Sequence, residues 1–187
     1  STPVDLGTGK TLKQLSTGAI HHCVILNDNT LKCWGRNTYG QLGYGDTNNR
    51  GDGPNEMGDD LVPVSLGTGN TGKLVASGGY HTCAVLNDDT VKCWGKNEYG
   101  RLGYGDTNNR GDGANEMGDN LPVVDLGTGK IPKQLSACTH HNCAILNDDT
   151  IKCWGEGSNG RLGNNNAAHR GDGPNEMGDN LPIADLE

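Results

Sequence analysis

The sequence predicts an all-β protein made of three tandem repeats of 60 residues, each an antiparallel four-stranded blade stacked on its neighbours as in a propeller, solenoid or array. Three observations predict it. Cys23, Cys83 and Cys143 recur at one spacing, as do Trp34, Trp94 and Trp154, with Leu6, Leu66, Leu126 and Leu186 setting the register. Of the 60 positions in 6–65, 39 are identical in 66–125, which marks tandem duplication rather than convergence. Hydrophobic content is only 32%, Phe is absent and 31 residues are Gly, a composition suited to thin layers and many turns rather than a broad apolar core. The repeats are placed at 1–65, 66–125 and 126–187 of one continuous domain, because a unit of this size cannot bury its apolar face alone.

Within a unit, the strand signals come first. In the second copy they fall at residues 63–66, 73–77, 81–86 and 90–94, short β-rich runs separated by Gly, Asn and Asp. The middle pair reads as a hairpin. In the first copy Asn27, Asp28 and Asn29 suit a three-residue loop built on a type I turn, with Asn29 in the left-handed position that Asp89 and Asp149 take in the other copies. If Leu26 and Thr30 close that loop as a hydrogen-bonded pair, Cys23 and Cys33 fall opposite each other at a non-hydrogen-bonded position, with α-carbons about 4.5 Å apart. That separation suits a disulfide. Cys83 with Cys93 and Cys143 with Cys153 repeat the spacing. Metal ligation is the competing reading, weakened by the absence of Cys-x2-Cys spacing. Three disulfides imply an oxidising compartment, so the chain is expected to be extracellular or at the cell surface. Cys138 stands where the other copies have Gly18 and Gly78, and is expected to be either a buried free thiol or an intermolecular link.

The second half of each unit, residues 95–120 in the middle copy, is rich in Gly, Asn, Asp and Arg and lacks apolar periodicity. So long a loop recurring nearly verbatim is expected to be ordered. Its core string, Arg-Gly-Asp-Gly-(Pro/Ala)-Asn-Glu-Met-Gly-Asp, spans 50–59, 110–119 and 170–179. Asp52, Glu56 and Asp59, with Asp112, Glu116, Asp119, Asp172, Glu176 and Asp179, could offer hard oxygen ligands to calcium. Against this, Arg50 occupies a place where an EF-hand needs an oxygen, and Asn166, Ala167 and Ala168 break the upstream half in the third copy. The competing reading is a loop held by its own side-chain to backbone hydrogen bonds. The Arg-Gly-Asp triplet alone is too short to specify an adhesion ligand.

His21, His81 and His141 occupy equivalent positions two residues before the first Cys, and are read as structural side chains rather than a ring of metal ligands. His22, His140 and His169 are unmatched between copies. Trp34, Trp94 and Trp154 follow the second Cys of each hairpin, a regular place that suits packing between blades better than a surface platform.

The string HTCAVLNDDTVKCWGKNEYGRLG at 81–103 resembles the repeat of the regulator of chromosome condensation family, with Trp-Gly followed by Asn, Tyr-Gly and Leu-Gly. The Cys-flanked form is similar to the secreted bacterial branch. The resemblance covers all three units and implies a β-propeller of four-stranded blades. It does not carry over the nucleotide exchange or chromatin binding of the family's founder, which depend on surfaces and a tail not identifiable here. Family propellers close at seven blades, whereas this sequence has three repeats and leaves off near the phase of the period at which it opens. Two expectations follow: a segment of a longer propeller, or copies joined head to tail into a ring or filament.

The function expected is therefore a non-enzymatic extracellular scaffold whose partner is protein, in the first place copies of itself. Alternatives are a calcium-dependent adhesion or ligand-binding module, and a propeller-type binder or inhibitor of one protein, as in the family's secreted beta-lactamase inhibitory member. No cofactor is expected. Catalysis finds no motif: nucleophile elbow, phosphate loop and HExxH are all missing. A net charge of -8 argues against nucleic acid, and no apolar run approaches the length of a membrane span.

Overall fold

The structure, a computed structural model, describes residues 2–185; Leu186, the last of the register leucines, lies outside them. Each repeat folds into a three-stranded antiparallel sheet in sequence order. The strands are β1 (Leu12–Thr17), β2 (His21–Leu26) and β3 (Leu31–Gly35), then β4 (Gly72–Ser77), β5 (His81–Leu86) and β6 (Val91–Gly95), then β7 (Pro132–Ala137), β8 (His141–Leu146) and β9 (Ile151–Gly155). The sheets follow one another along an open arc, not a closed ring.

The expected fourth strand does not form. Residues 63–66 lie along the edge of β3 but donate one backbone bond to it, Val64 N to Leu31 O at 2.8 Å, matched by Val124 N to Val91 O at 2.7 Å and Ala184 N to Ile151 O at 2.8 Å. Pro122 and Pro182, two residues before the bonding Val124 and Ala184, have no N–H to extend the pairing; in the first copy that position is Val62, and Pro63 sits on the other side of the strand. A buried lysine fastens this stretch instead: Lys92 Nζ donates to Leu66 O at 3.0 Å and to Gly118 O at 2.7 Å, and Lys32 and Lys152 repeat the arrangement. The other edge carries a register shift in every copy, between Leu12 and Gln14, Gly72 and Leu74, and Pro132 and Gln134.

The hairpin turns are built as the spacing predicts. Leu26 N bonds Thr30 O, Asn29 N bonds Leu26 O, and Asn29, Asp89 and Asp149 have φ of 65°, 68° and 65°. Asn and Asp accept this region more readily than other side chains, and here their side chains reach across to the first strand, Lys13 Nζ donating to Asn29 Oδ1 at 2.6 Å, while the preceding Asp28 Oδ1 accepts from Thr30 Oγ1 at 2.7 Å.

Apolar burial is divided between the two junctions of consecutive sheets. One cluster joins Cys23, Ile25 and Leu31 to Val75, Leu86 and Trp94, and the next joins Cys83, Val85 and Val91 to Ala144, Leu146 and Trp154. Each blade is therefore half a core, completed by the following blade.

Candidate functional site

The repeated structure with a chemistry of its own is the joint between blades, built alike twice. On the inner strands, His21 Nε2 lies 2.8 Å from Thr82 Oγ1, and His81 Nε2 lies 2.8 Å from Asn142 Oδ1. An amide oxygen only accepts, so His81 carries its proton on Nε2. The slot residue also donates: Thr82 Oγ1 to Gln41 O at 2.8 Å, and Asn142 Nδ2 to Arg101 O at 2.6 Å. The same two carbonyls accept from the tryptophan of the following blade, Trp94 Nε1 to Gln41 O at 3.1 Å and Trp154 Nε1 to Arg101 O at 3.0 Å. Each joint thus sets one histidine and one carbonyl of the leading blade against one donor–acceptor side chain and one indole of the next. Burial pushes the His21 imidazole down to about 4 and that of His81 to about 3, so both are neutral in the folded protein.

The acidic loops form the outer part of the joint. Glu56 Oε2 accepts from the backbone N–H of Gly51, Asp52 and Gly53 at 2.9, 3.0 and 2.8 Å, and Glu116 and Glu176 clamp the same three positions of their own copies. Asp59, Asp119 and Asp179 instead bond the hydroxyl and N–H of Thr8, Thr68 and Thr128. Arg50 and Arg110 pair with Asp46 and Asp106 at 2.7 and 2.8 Å. Asp52 Oδ2 accepts from Asn49 Nδ2 at 3.0 Å. The carboxylates considered for calcium are thereby divided among separate tasks, and among the described residues no three His, Cys, Asp or Glu side chains are grouped to hold a metal.

These loops also carry blade-to-blade contacts. The loop at 111–113 lies on the Tyr-Gly turn of the preceding copy so closely that a β-carbon on Gly40 would stand 2.2 Å from Asp112 N, and Gly45 N donates to Gly111 O at 3.1 Å. Gly40 adopts φ +73°, so glycine is required there on both counts. Gly100 against 171–172, and Gly105 N to Gly171 O at 3.0 Å, repeat the contact one unit on.

Cys23–Cys33, Cys83–Cys93 and Cys143–Cys153 are disulfide-bonded across β2–β3, β5–β6 and β8–β9, each with α-carbons 4.1 Å apart. Cys138 is a free thiol but an exposed one, not the buried thiol expected, because it lies at the outer end of the β7–β8 turn, which no following residue among those described covers. Trp94 and Trp154 are fully buried in the joints, whereas Trp34, on the first blade, is half-buried beside His22, with ring centroids 5.7 Å apart. Tyr44 and Tyr104 were not singled out in sequence. Their hydroxyls donate to Cys33 O and Cys93 O and accept from the N–H of the same residues, and burial raises Tyr44 to about 12. They follow the Leu-Gly of the motif, at Leu42-Gly43 and Leu102-Gly103, and their recurrence there in two copies was the available signal.

The outer face of blade 3 is built like a joint but uncovered. Cys143, Ile145 and Ile151 are half-exposed where Cys23, Ile25 and Leu31 are fully buried, and with Leu162 and Ala184 they line a cavity of about 400 Å³. The outer face of blade 1 is also uncovered. Leu15 there is 51% exposed against 2% for its counterpart Val75.

Stacked antiparallel sheets, glycine-rich connections and inter-blade relays define a β-propeller-type repeat protein. Residues 12–41 and 73–101 match the regulator of chromosome condensation (RCC1) repeat, and residues 29–85 match a second form of it, so the chain carries repeats of this kind. It is 30% identical over 164 residues to the ultraviolet-B receptor UVR8 of Arabidopsis thaliana, across 86% of this chain and 33% of that protein. It is 27% identical over 165 residues to the human E3 ubiquitin-protein ligase HERC2, across 86% of this chain and 3% of that protein. The chain therefore spans a third or less of these curated relatives. Among solved structures, human WBSCR16 superposes with a TM-score of 0.67 at 18% identity, covering 100% of this chain and 43% of that one. Prp20p of Saccharomyces cerevisiae gives 0.59 at 20%, covering 93% and 38%. At these identities the structures speak to the fold alone.

Proposed function

We propose that the chain is a non-enzymatic protein-binding scaffold outside the cell whose partners are further copies of itself, joined head to tail into a ring or filament. The observation that carries this reading is the pair of uncovered outer faces. Blade 3 offers the leading half of a joint that is completed twice inside the chain, and blade 1 offers the trailing half. Half-exposed apolar surface of this kind on a repeat protein favours burial against a like surface. Association of unlike faces either closes or propagates, according to the rotation per step.

The family supports a protein partner: the solved structures include yeast RCC1 (Prp20) bound to Kap60, and Prp20p described with its binding to Gsp1p and histones. Those partners belong to those proteins. Extracellular placement is supported by three disulfides in a chain of this size. No helix among the described residues is long and apolar enough to cross a membrane. Sedimentation velocity over a hundredfold concentration range tests the reading. Weight-average mass rising with concentration is expected, and a single monomeric species throughout would overturn it.

A further inference from the structure

All three methionines of the chain, Met57, Met117 and Met177, stand at one position of the repeat, and each is partly exposed. Two of them span the joints between consecutive blades. A β-carbon on Gly43 would stand 3.0 Å from Met117 Cε and 2.7 Å from Trp94 Nε1, so the methyl group of Met117 reaches from its own loop to the Leu-Gly turn of the preceding blade, beside the indole N–H. The sulfur stays with its own loop, 3.2 Å from a β-carbon placed on Gly111. Met177 repeats the arrangement: a β-carbon on Gly103 would stand 3.1 Å from its Cε and 3.1 Å from Trp154 Nε1, and one on Gly171 would stand 3.2 Å from its Sδ. Both side chains pack on the apolar cluster of their joint.

These thioethers are within reach of a small solute, yet their backbone is held on both sides. Met117 belongs to the middle repeat, which has a blade on either flank, and is still partly exposed. A groove of about 680 Å³, walled by residues of the second and third repeats, opens on Met177. Before Met117, Glu116 clamps the N–H groups of Gly111, Asp112 and Gly113, and after it Gly118 O accepts from Lys92 Nζ at 2.7 Å. Glu176 and Gly178 O, the latter 2.8 Å from Lys152 Nζ, hold Met177 in the same way. A change at the sulfur is therefore felt by the joint rather than absorbed by the loop.

We propose that Met117 and Met177 are oxidation sites, converted to sulfoxides by hydrogen peroxide, and that the conversion loosens the joint each one spans. A sulfur lone pair forms the S–O bond to one peroxide oxygen, the O–O bond breaks, and the hydroxide released takes the proton of the new S–OH group and leaves as water. Sulfur loses two electrons and the peroxide gains two. The groove favours an uncharged oxidant over an anionic one such as hypochlorite, because Asp106, Asp125, Glu176 and Asp179 line it against Arg110. A thioether is a weak acceptor, whereas a sulfoxide oxygen is polar and needs a donor. The donor beside the methyl group is engaged, Trp94 Nε1 with Gln41 O at 3.1 Å and Trp154 Nε1 with Arg101 O at 3.0 Å. The new oxygen either competes for that indole or turns to water and draws the methyl group out of the joint. Both outcomes remove contact between blades.

Peroxide treatment of the folded chain tests the site, with Cys138→Ser as the parent so that the free thiol does not react. Peptide mass spectrometry should find Met117 and Met177 converted at rates within about tenfold of those in the urea-unfolded chain. The oxidised parent should melt about 5 °C or more below the untreated one. Hydrogen exchange should quicken at Gly45 and Gly105, whose N–H groups bond Gly111 O and Gly171 O across the same joints. Leucine keeps the volume without the sulfur, so the double variant Met117→Leu, Met177→Leu should melt close to the parent before treatment and lose most of the fall after it. Conversion of Met117 and Met177 only in the unfolded chain, conversion with no change in melting or exchange, or an equal fall in the double variant would each overturn the proposal.

Discussion

His81 Nε2 stands 2.8 Å from Asn142 Oδ1, so an imidazole of the second repeat is bonded into the third, as His21 is bonded through Thr82 into the second. Both rings are buried, and burial lowers their affinity for a proton. In the unfolded chain a histidine titrates near 6.5. Below that pH the unfolded state binds protons that the folded state refuses, so the joints' stability is complete above about 6.5 and is lost as pH falls toward 4. Each ring contributes a slope of about 1.4 kcal/mol per pH unit in that window. Calorimetry from pH 7 to pH 5 should show a falling melting temperature, and His81→Gln should flatten the fall. An unchanged slope in that variant would contradict the assignment.

Lys92 should be worth more to stability than its charge suggests. Its ammonium satisfies Leu66 O and Gly118 O, and the residue is only 5% exposed. Lys92→Met leaves both carbonyls unpaired, at a cost of about 2–4 kcal/mol. Urea denaturation reads this directly, and a midpoint equal to wild type would show that water replaces the ammonium freely.

Glu116 holds the loop of the second repeat through three backbone N–H bonds. Glu116→Ala frees those donors and should cost about 2–3 kcal/mol, with faster hydrogen exchange at Gly111, Asp112 and Gly113. Since Asp119 is engaged elsewhere with Thr68, millimolar calcium should leave the melting temperature of the wild-type chain unchanged. Slow exchange persisting in the variant would mean that the loop is held by its contact with Gly40 alone.

The disulfides should differ in accessibility although their spacing is identical. Cys23, Cys33, Cys83 and Cys93 are fully buried, whereas Cys143 is half-exposed on the outer face of blade 3. Brief reduction and alkylation should label Cys143 and Cys153 before the other pairs, by peptide mass spectrometry. Loss of one bond closing so short a loop costs about 3 kcal/mol. Uniform labelling would indicate that the whole chain opens first.

Much of the architecture is legible in the sequence, because the period, the turn residues and the paired cysteines are local signals. Asn29 and its counterparts fix the turn, and the turn fixes the register that sets Cys23 against Cys33. The fourth strand is misread because β-rich composition at 63–66 says nothing of how many N–H groups find partners; a single bond from Val64 leaves the sheet at three. The joint is harder still to read. Thr82 and Asn142, with His22 at the same place in the first copy, look like an unmatched column, and only the structure shows that Thr82 and Asn142 both accept and donate. The carbonyls of Gln41 and Arg101 belong to residues whose side chains give no hint of that role.

The claim that the chain meets its own copy as its blades meet each other is tested most directly by electron cryo-microscopy of the assembled protein. The account predicts a junction in which β7–β9 of one copy faces β1–β3 of the next, superposable on β4–β6 against β7–β9. A symmetric contact of blade 3 with blade 3, or of blade 1 with blade 1, would contradict it.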